Sequence, residues 1–245
     1  MQSMRVLVIT GTLALVIGLL AMFPARVAIE WFAPGGVTFS NSSGTIWSGR
    51  AAGASTGGIT LRNIEWRFKP LSLFKGQLAF AVSANPPSGF MDAVAGVGFG
   101  GSMVLSDLNA SLPLSLVGRG VGVAGLQGTS TLRFSRIVWD GAWVAGADGV
   151  LQVADLLVPA VGRDSLGGYR AEFSTTERGI VASVEDTDAV IDLAGSLTLE
   201  EDRSYALIAQ IVAQPSTPDS IKRQLKFLPP PNDRGQQEIR LEGVF

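Results

Sequence analysis

The chain of 245 residues contains no cysteine and no histidine, and only 16% of its residues are charged. Without cysteine it can form no disulfide framework, thiol nucleophile or zinc–thiolate site. Without histidine it has no Ser-His-Asp triad and no imidazole base or metal ligand. Its 19 basic and 21 acidic residues nearly balance, which argues against a nucleic-acid-binding protein. We therefore expect a scaffold or binding protein rather than an enzyme, with no cofactor and no bound metal.

One long uncharged run stands at the start of the chain. Residues 6–23 hold no charged side chain and lie between Arg5 and Arg26. As a helix this run would rise about 27 Å, close to the roughly 30 Å hydrocarbon core of a bilayer. The sequence predicts a transmembrane helix over 6–23, with 1–5 as a cytoplasmic stub and 24–245 as a periplasmic β-rich domain.

Two other interpretations of this run stay open. A cleaved secretory signal would need small residues at its cleavage site. The positions that those small residues would have to fill are occupied by Phe23, Pro24 and Arg26. Burial in a soluble core would explain the apolarity, but it fits poorly with a terminal position between arginines. An uncleaved, single-pass inner-membrane anchor is the interpretation that we carry forward.

The remainder of the chain alternates with a period of two residues. Leu78, Phe80 and Val82 are separated by small residues, and similar runs recur at residues 169–174, 180–184, 205–211 and 239–242. Such alternation indicates half-buried β-strands. Glycine supplies the turns between them: the chain has 30 glycines, about 12% of its residues against the usual roughly 7%.

Some of these runs change phase partway along. Ile59 and Leu61 occupy one phase, and Ile64, Trp66 and Phe68 occupy the other, with Asn63 between them. The run from Leu132 and Phe134 to Ile137 and Trp139 does the same. A shift of one residue indicates a β-bulge, which bends a sheet. We predict an all-β fold built on a strongly curved antiparallel sheet, as a meander, an open sandwich or a groove.

Two stretches depart from the strand pattern. Phe90–Gly101 is predicted to be a short helical turn or a mobile loop. Ser220–Leu228 has apolar residues at helical spacing, so we predict a short C-terminal helix there, capped by Thr217 or Asp219 and ended by the prolines at 229–231.

Motifs for chemistry are weak. The glycines at 120, 122 and 125 match a nucleotide-binding pattern, but a strand rather than a helix is predicted after them, which indicates a glycine-rich loop. The acidic residues at 185, 186, 188 and 192 lack the spacing of a calcium loop and suit an acidic turn.

Charge is placed unevenly along the chain. Residues 26–80 carry six basic and two acidic side chains, a net charge of +4, whereas residues 140–202 carry three basic and thirteen acidic ones, a net charge of −10. Solvated strand faces would account for this. The alternative is a basic part that faces anionic lipid and an acidic part that faces a protein partner.

Two motifs resemble a known family. The first is Gly44-Thr45-Ile46-Trp47-Ser48-Gly49-Arg50-Ala51, and the second runs from Trp66 through Pro70 to Gly76 and Leu78. Together with the closing strands, they make the chain similar to protein N of the bacterial type II (general) secretion system. The family positions are Gly44, Thr45, Trp47, Gly49, Trp66, Pro70 and Gly76.

The resemblance implies a bitopic inner-membrane protein with a periplasmic β-domain. It implies an accessory, scaffolding part in exporting folded proteins across the outer membrane, with no catalytic residue. Other secretion proteins and membrane lipid are the expected partners, nucleic acid is not, and a homo-oligomer is left open. The motif residues would be structural: glycines for turns or close approach, Trp47 and Trp66 as core anchors, and Pro70 to end a strand.

A second function is also considered, in which the sheet handles lipid. A curved sheet beside a membrane can present an apolar groove. A closed sandwich would instead enclose Trp47, Trp66 and Trp139 in one core, whereas a groove would leave a contiguous apolar strip open to solvent.

Overall fold

A computed structural model describes residues 2–32, 36–56, 59–98, 100–120, 125–159, 162 and 164–244. Thirteen strands dominate it: β1 (Thr38–Gly44), β2 (Ser48–Thr56), β3 (Ile59–Phe68), β4 (Gln77–Asn85), β5 (Phe90–Gly98), β6 (Met103–Pro113), β7 (Gln127–Trp139), β8 (Val144–Leu157), β9 (Gly167–Thr176), β10 (Gly179–Ala189), β11 (Ile191–Glu200), β12 (Ser204–Ala213) and β13 (Gln237–Val244). They form one sheet whose spatial order is the chain order, and every neighbouring pair is antiparallel. The predicted all-β class and antiparallel sheet are confirmed, and among the alternatives left open the strand order is that of a meander.

The register divides the sheet into an apolar face and a polar face. One line of paired residues crosses six strands on the apolar face: Phe68, Phe80, Ala95, Leu105, Ile137 and Ala147. The adjacent line on the polar face runs through Arg67, Ala81, Val94, Ser106, Arg136 and Asp148. Because paired residues point to the same side, the period-two alternation in the sequence becomes this division.

Buried residues gather in three clusters. The central one joins Ala93, Leu108, Ala110, Phe134, Ala147 and Ile180. A smaller one near the start of the sheet joins Ala51, Ile64 and Ala84. The third joins Leu166, Ile191, Ile211, Ile221 and Leu225, so it includes a helix that covers part of the late strands.

Both predicted bulges are present. Asn63 has a positive φ of 48°, and the pairing of β3 with β4 shifts between Arg62 and Glu65. A second shift occurs between Phe134 and Arg136, where β7 pairs with β8. Each bulge returns the following apolar residues to the apolar face, which is why the sequence pattern changes phase there.

The meander gives the sheet two ends with different connections. We call one end of the sheet the proximal end: it carries the connections after β1, β3, β5, β7, β9 and β11. The distal end carries the connections after β2, β4, β6, β8, β10 and β12. The assignment follows from the strand order alone, because successive antiparallel strands reverse direction.

Among the described residues, four helices accompany the sheet: α1 (Gln2–Ala21), α2 (Ala25–Phe32), α3 (Leu114–Gly120) and α4 (Asp219–Leu225). A 3-10 turn (Pro70–Lys75) follows β3. Compared with the predicted span of 6–23, α1 begins four residues earlier, at Gln2, and ends two residues earlier, at Ala21. In the part of the chain that the structure describes, no helix combines the length and the apolarity that crossing a membrane requires. The transmembrane helix therefore stays a prediction.

The prediction for Phe90–Gly101 was wrong where the structure describes it, because Phe90–Gly98 is strand β5. Its apolar-face positions are Met91, Ala93, Ala95 and Val97, which pair with β4 and β6. Alanine and glycine fill so much of this stretch that the alternation was hard to see. Residue 99 lies outside the described residues.

The predicted C-terminal helix is confirmed as α4, but it ends at Leu225, before the prolines expected to end it, and its predicted cap was wrong. Pro218 occupies the cap position, and no side chain caps the helix there. The Thr217 hydroxyl instead donates to the Val190 carbonyl and accepts from the Gln214 amide.

The structure also shows α2, α3 and the 3-10 turn, which the sequence did not predict. The glycine-rich motif at 120–125 lies largely outside the described residues, since 121–124 are not among them.

Candidate functional site

The first family motif forms the connection between β1 and β2, at the proximal end. Gly44 ends β1 with a φ of 98°, in the left-handed region that favours glycine. A Cβ on Gly44 would lie 2.5 Å from the Ser48 carbonyl oxygen. The Thr45 amide donates to that same oxygen at 2.9 Å. Gly44 therefore allows the chain to turn back on itself directly against Ser48.

Thr45 stabilises this tight connection with its side chain. Its Oγ1 accepts hydrogen bonds from the amides of Trp47 (3.3 Å) and Ser48 (3.2 Å). Its carbonyl oxygen accepts a bond of 3.2 Å from the indole Nε1 of Trp66. One residue thus ties the turn together and joins it to β3.

The same connection holds the end of the N-terminal helix. The Trp47 indole Nε1 donates to the Leu20 carbonyl oxygen at 2.7 Å, and the Ile46 amide donates to the Phe23 carbonyl at 3.0 Å. Pro24 and Thr45 form an isolated antiparallel bridge. Carbonyls in the last turn of a helix lack their ordinary intrahelical partner. The Leu20 oxygen accepts a long bond of 3.4 Å from the Phe23 amide, and Trp47 adds a second, shorter one.

Aromatic side chains pack beside this junction. The Phe68 ring lies 4.9 Å from the Trp47 ring and 5.5 Å from the Phe80 ring, measured between centroids, and both pairs are tilted. Gly49 pairs with Trp66 across β2 and β3. A Cβ on Gly49 would lie 2.4 Å from Cζ2 of Trp66, so the indole occupies the space that any other residue would need.

Pro70 and Gly76 belong to the next connection at the proximal end. Pro70 opens the 3-10 turn, directly after β3 ends, and Gly76 closes it with a φ of 70°. The Ser72 hydroxyl donates to the Lys69 carbonyl at 2.6 Å and accepts from the Ala79 amide at 3.2 Å. The turn is thereby fastened to the start of β4.

The structure brings five of the seven family positions into one junction: Gly44, Thr45, Trp47, Gly49 and Trp66. Pro70 and Gly76 lie beside it, in the turn after β3. Sequence reasoning missed Leu20, Phe23 and Phe68 as members of the junction. Nothing in their local pattern marks them, because two of them act through main-chain carbonyls.

Opposite charges line a cleft beside the junction, with a volume of about 450 Å³. Its lining includes Glu65, Arg67, Lys69, Asp92 and Asp107.

Among the described residues, no three carboxylates converge closely enough to hold a metal ion. The acidic residues predicted to form a turn lie on β10 and β11, where the Asp186 carboxylate accepts a bond of 2.7 Å from the Leu193 amide.

Side chains with displaced pKa values lie away from the junction, and one of them, Tyr169, is in β9 near the distal end of the sheet. Burial, and to a smaller degree the charge of Asp186, raises the pKa of Tyr169 to about 12. The Tyr169 hydroxyl donates to the Leu166 carbonyl at 3.2 Å. At the proximal end, amide donors from Ala142 and Trp143 lower the pKa of Asp140. Both arrangements stabilise local structure.

The chain is similar to two curated proteins, each named type II secretion system protein N. The one from Aeromonas hydrophila is 24% identical over 234 residues, which cover 92% of this chain and 92% of that protein. The one from Vibrio cholerae serotype O1 is 25% identical over 229 residues, which cover 90% of each. No solved structure matches.

A family model described as type II secretion system (T2SS), protein N, matches residues 35–240. The match extends from the residues before β1 into β13, and it includes the junction motif and the 3-10 turn. The chain therefore belongs to the type II secretion system protein N family.

Proposed function

We propose that this chain is an accessory inner-membrane component of type II secretion, which works as a scaffold for export of folded proteins across the outer membrane. Membership of the family carries the proposal. The junction supports it physically, because it joins an apolar helix to one end of a large sheet through Trp47 and Ile46. In this proposal the protein acts by contact and position, with no catalytic step.

We retain the predicted anchor as part of the proposal: 1–5 in the cytoplasm, 6–23 across the inner membrane and 24–245 in the periplasm. The exposure of α1 supports it. Leu7, Leu13, Leu15 and Leu19 are all more than half exposed, and no charged residue lies from Val6 to Ala21. Exposed apolar surface of this extent indicates a lipid or protein environment around the helix.

Deletion of the gene tests the main proposal. Secreted enzymes should accumulate in the periplasm of the deletion strain, and the intact chain supplied from a plasmid should restore their export. A variant with Trp47 replaced by alanine should restore it less well at equal protein level. If the deletion strain secretes normally, the proposed role in export is wrong.

Thiol labelling tests the topology, because the natural chain has no cysteine and gives no background. A Glu201→Cys variant places a thiol at an exposed position in the connection between β11 and β12, and Ser3→Cys places one in the proposed stub. A membrane-impermeant maleimide applied to spheroplasts should label residue 201 and spare residue 3. The opposite pattern would reverse the proposed orientation.

We propose other secretion proteins as partners, and the sheet offers two edges for them. β1 and β13 each pair with one neighbour in the described sheet, and an unpaired strand edge can accept another chain. Photo-cross-linking from β1 and β13 in the native envelope should capture a secretion component. A captured second copy would show the homo-oligomer that the sequence left open.

Lipid handling remains a second candidate, since one observation favours it. The apolar face is largely half-buried, and Trp139 on it is 40% exposed rather than enclosed in a core. The family comparisons name secretion, so this candidate ranks below the first. Native mass spectrometry of the detergent-extracted protein tests it: lipid bound in stoichiometric amount would support a groove, and protein free of lipid would count against it.

A further inference from the structure

The 3-10 turn after β3 presents three large apolar side chains to solvent. Leu71, Leu73 and Phe74 are 75%, 46% and 88% exposed. Lys69 and Lys75 stand at its two ends, both exposed, and neither forms an ion pair with another described residue. Apolar side chains framed by lysines are typical of segments that lie in the headgroup region of a bilayer.

The exposure is built into the backbone of the turn. Pro70 sets its start, and Gly76 closes it in the left-handed conformation. Ser72 points inward to bond Lys69 and Ala79, so the neighbouring side chains are directed outward. The apolar residues are therefore held on the outside by a structured turn.

An exposed apolar row continues from the turn across the sheet. Leu78 pairs with Val97, Val97 pairs with Met103, and Met103 pairs with Trp139. These four side chains lie on the apolar face at the proximal end and are 39%, 43%, 54% and 40% exposed. The turn and this row together form one apolar rim along β4 to β7.

The rim lies at the end of the sheet that holds α1. The Phe68 amide, at the end of β3, donates to the Trp47 carbonyl at 2.6 Å. The Trp47 indole in turn donates to Leu20, near the end of α1. A bilayer that surrounds α1 would therefore meet the turn next to it.

Charge identifies the kind of surface that fits. Residues 26–80, which include the turn, have a net charge of +4, whereas residues 140–202 have −10. At the same proximal end, the connections after β7, β9 and β11 carry four acidic and two basic side chains, a net charge of −2: Asp140, Glu177, Glu201 and Asp202 against Arg178 and Arg203. An anionic surface attracts the first part and repels the second, so the contact is confined to the early strands.

We propose that the apolar rim, which includes the 3-10 turn, forms a second membrane contact that docks on the surface of an anionic lipid bilayer beside α1. The contact deepens the proposed membrane anchoring and rests on it. It sets how the sheet stands relative to the membrane, with the acidic strands held away from the lipid. The acidic part is then left accessible to a protein partner.

A fluorescent probe on the full-length chain tests the contact. Phe74→Cys and Phe227→Cys each introduce the chain's single thiol, and the two phenylalanines are 88% and 86% exposed. Residue 227 lies in the distal connection between β12 and β13, so it is the matched control. Both variants, labelled with an environment-sensitive dye, are reconstituted into vesicles of phosphatidylcholine alone or mixed with phosphatidylglycerol. Quenchers on the lipid chains report contact with the bilayer.

The expected result is blue-shifted, lipid-quenched emission at residue 74 in vesicles with phosphatidylglycerol, and water-like emission at residue 227. Water-like emission at both positions in vesicles with phosphatidylglycerol overturns the proposal. The proposal is also overturned if the emission of residue 74 shifts only after a secretion protein is added. A third probe at Leu13→Cys, within α1, tests the anchor by itself. Failure of the anchor is therefore visible separately from failure of the contact.

The charge of the turn gives an independent readout. Lys69→Gln and Lys75→Gln keep the side chains exposed and remove their charges. Each should lower the ratio of docked to free turn about fivefold in anionic vesicles, and have little effect in neutral ones. Equal quenching by the parent and both variants in anionic vesicles would show that the proposed electrostatic docking is wrong.

Discussion

The indole Nε1 of Trp47 donates a 2.7 Å hydrogen bond to the carbonyl oxygen of Leu20, 27 residues earlier in the chain. This bond joins the last turn of α1 to the first connection of the sheet. The Leu20 carbonyl also accepts a longer bond of 3.4 Å from the Phe23 amide, so the indole supplies the shorter of its two hydrogen bonds. The placement of α1 on the sheet depends on this contact and on the neighbouring Ile46–Phe23 bond.

Replacement of Trp47 by phenylalanine should loosen the junction while keeping an aromatic ring against Phe68. The lost hydrogen bond is worth about 1 kcal/mol. Arg26, whose side chain is 78% exposed, lies just after the junction in α2. Limited trypsin digestion should therefore cut at Arg26 about fivefold faster than in the parent chain.

Trp139→Phe is the matched control for that experiment. Trp139 also lies at the proximal end and is 40% exposed, but it belongs to β7, away from α1. Its replacement should leave the cleavage rate at Arg26 unchanged. A Trp47 variant that is cut no faster than this control would show that the indole bond does not hold the helix.

Replacement of Gly49 by alanine should destabilise the sheet near the junction. The new methyl would lie 2.4 Å from Cζ2 of Trp66 and 2.6 Å from the Ser43 carbonyl oxygen. The expected loss is about 1–3 kcal/mol in the free energy of unfolding, measured by urea denaturation. Gly100→Ala, where nothing lies within 4 Å of the added Cβ, should change it little. Equal effects at the two positions would contradict the close packing of Trp66.

Truncation of Ile221 in α4 should leave a cavity in the third cluster. Ile221 is 2% exposed and packs with Ile191 and Ile211. We expect Ile221→Ala to lower the free energy of unfolding by about 2–5 kcal/mol. Phe227→Ala, at an 86% exposed position just after the helix, should change it by less than about 0.5 kcal/mol. If both variants unfold at the same urea concentration, α4 does not cover the late strands as described.

Tyr169 should titrate abnormally at high pH. Burial raises its pKa to about 12 from an ordinary value of 10.0, so the fold favours the neutral phenol. The stability from this preference is fully present below pH 10 and is lost as the pH rises toward about 12. The chain has 2 tyrosines, so a Tyr205→Phe variant leaves Tyr169 as the sole phenol. Its absorbance near the phenolate band should rise with a midpoint near pH 12, and a midpoint near pH 10 would contradict the burial.

The strands were predictable because their signal is local. A sheet with one apolar face requires apolar residues at every second position, as at Leu78, Phe80 and Val82. The bulge at Asn63 was visible for the same reason, since an extra residue changes the phase. The strand at Phe90–Gly98 was missed because alanines and glycines weaken the contrast between its two faces.

The short helices could not be predicted with the same means. α2, α3 and the 3-10 turn have eight residues or fewer, and helices of that length are not stable by themselves in water. They form where the sheet supports them, as Ser72 shows by bonding the 3-10 turn to Ala79. The candidate site was predictable only in part: the motif residues were found by family resemblance, and their partner Leu20 contributes a main-chain oxygen.

By itself the sequence determined the all-β class, the positions of most strands, the apolar N-terminal run and the absence of cysteine and histidine chemistry. These properties are set by composition and by short-range periodicity. The tertiary structure decided that thirteen strands form a single sheet, that Trp47 meets Leu20, and that the exposed turn at Leu71–Phe74 lies at the end where α1 is attached. Those relationships depend on long-range pairing and on backbone groups, which the order of side chains along the chain does not display.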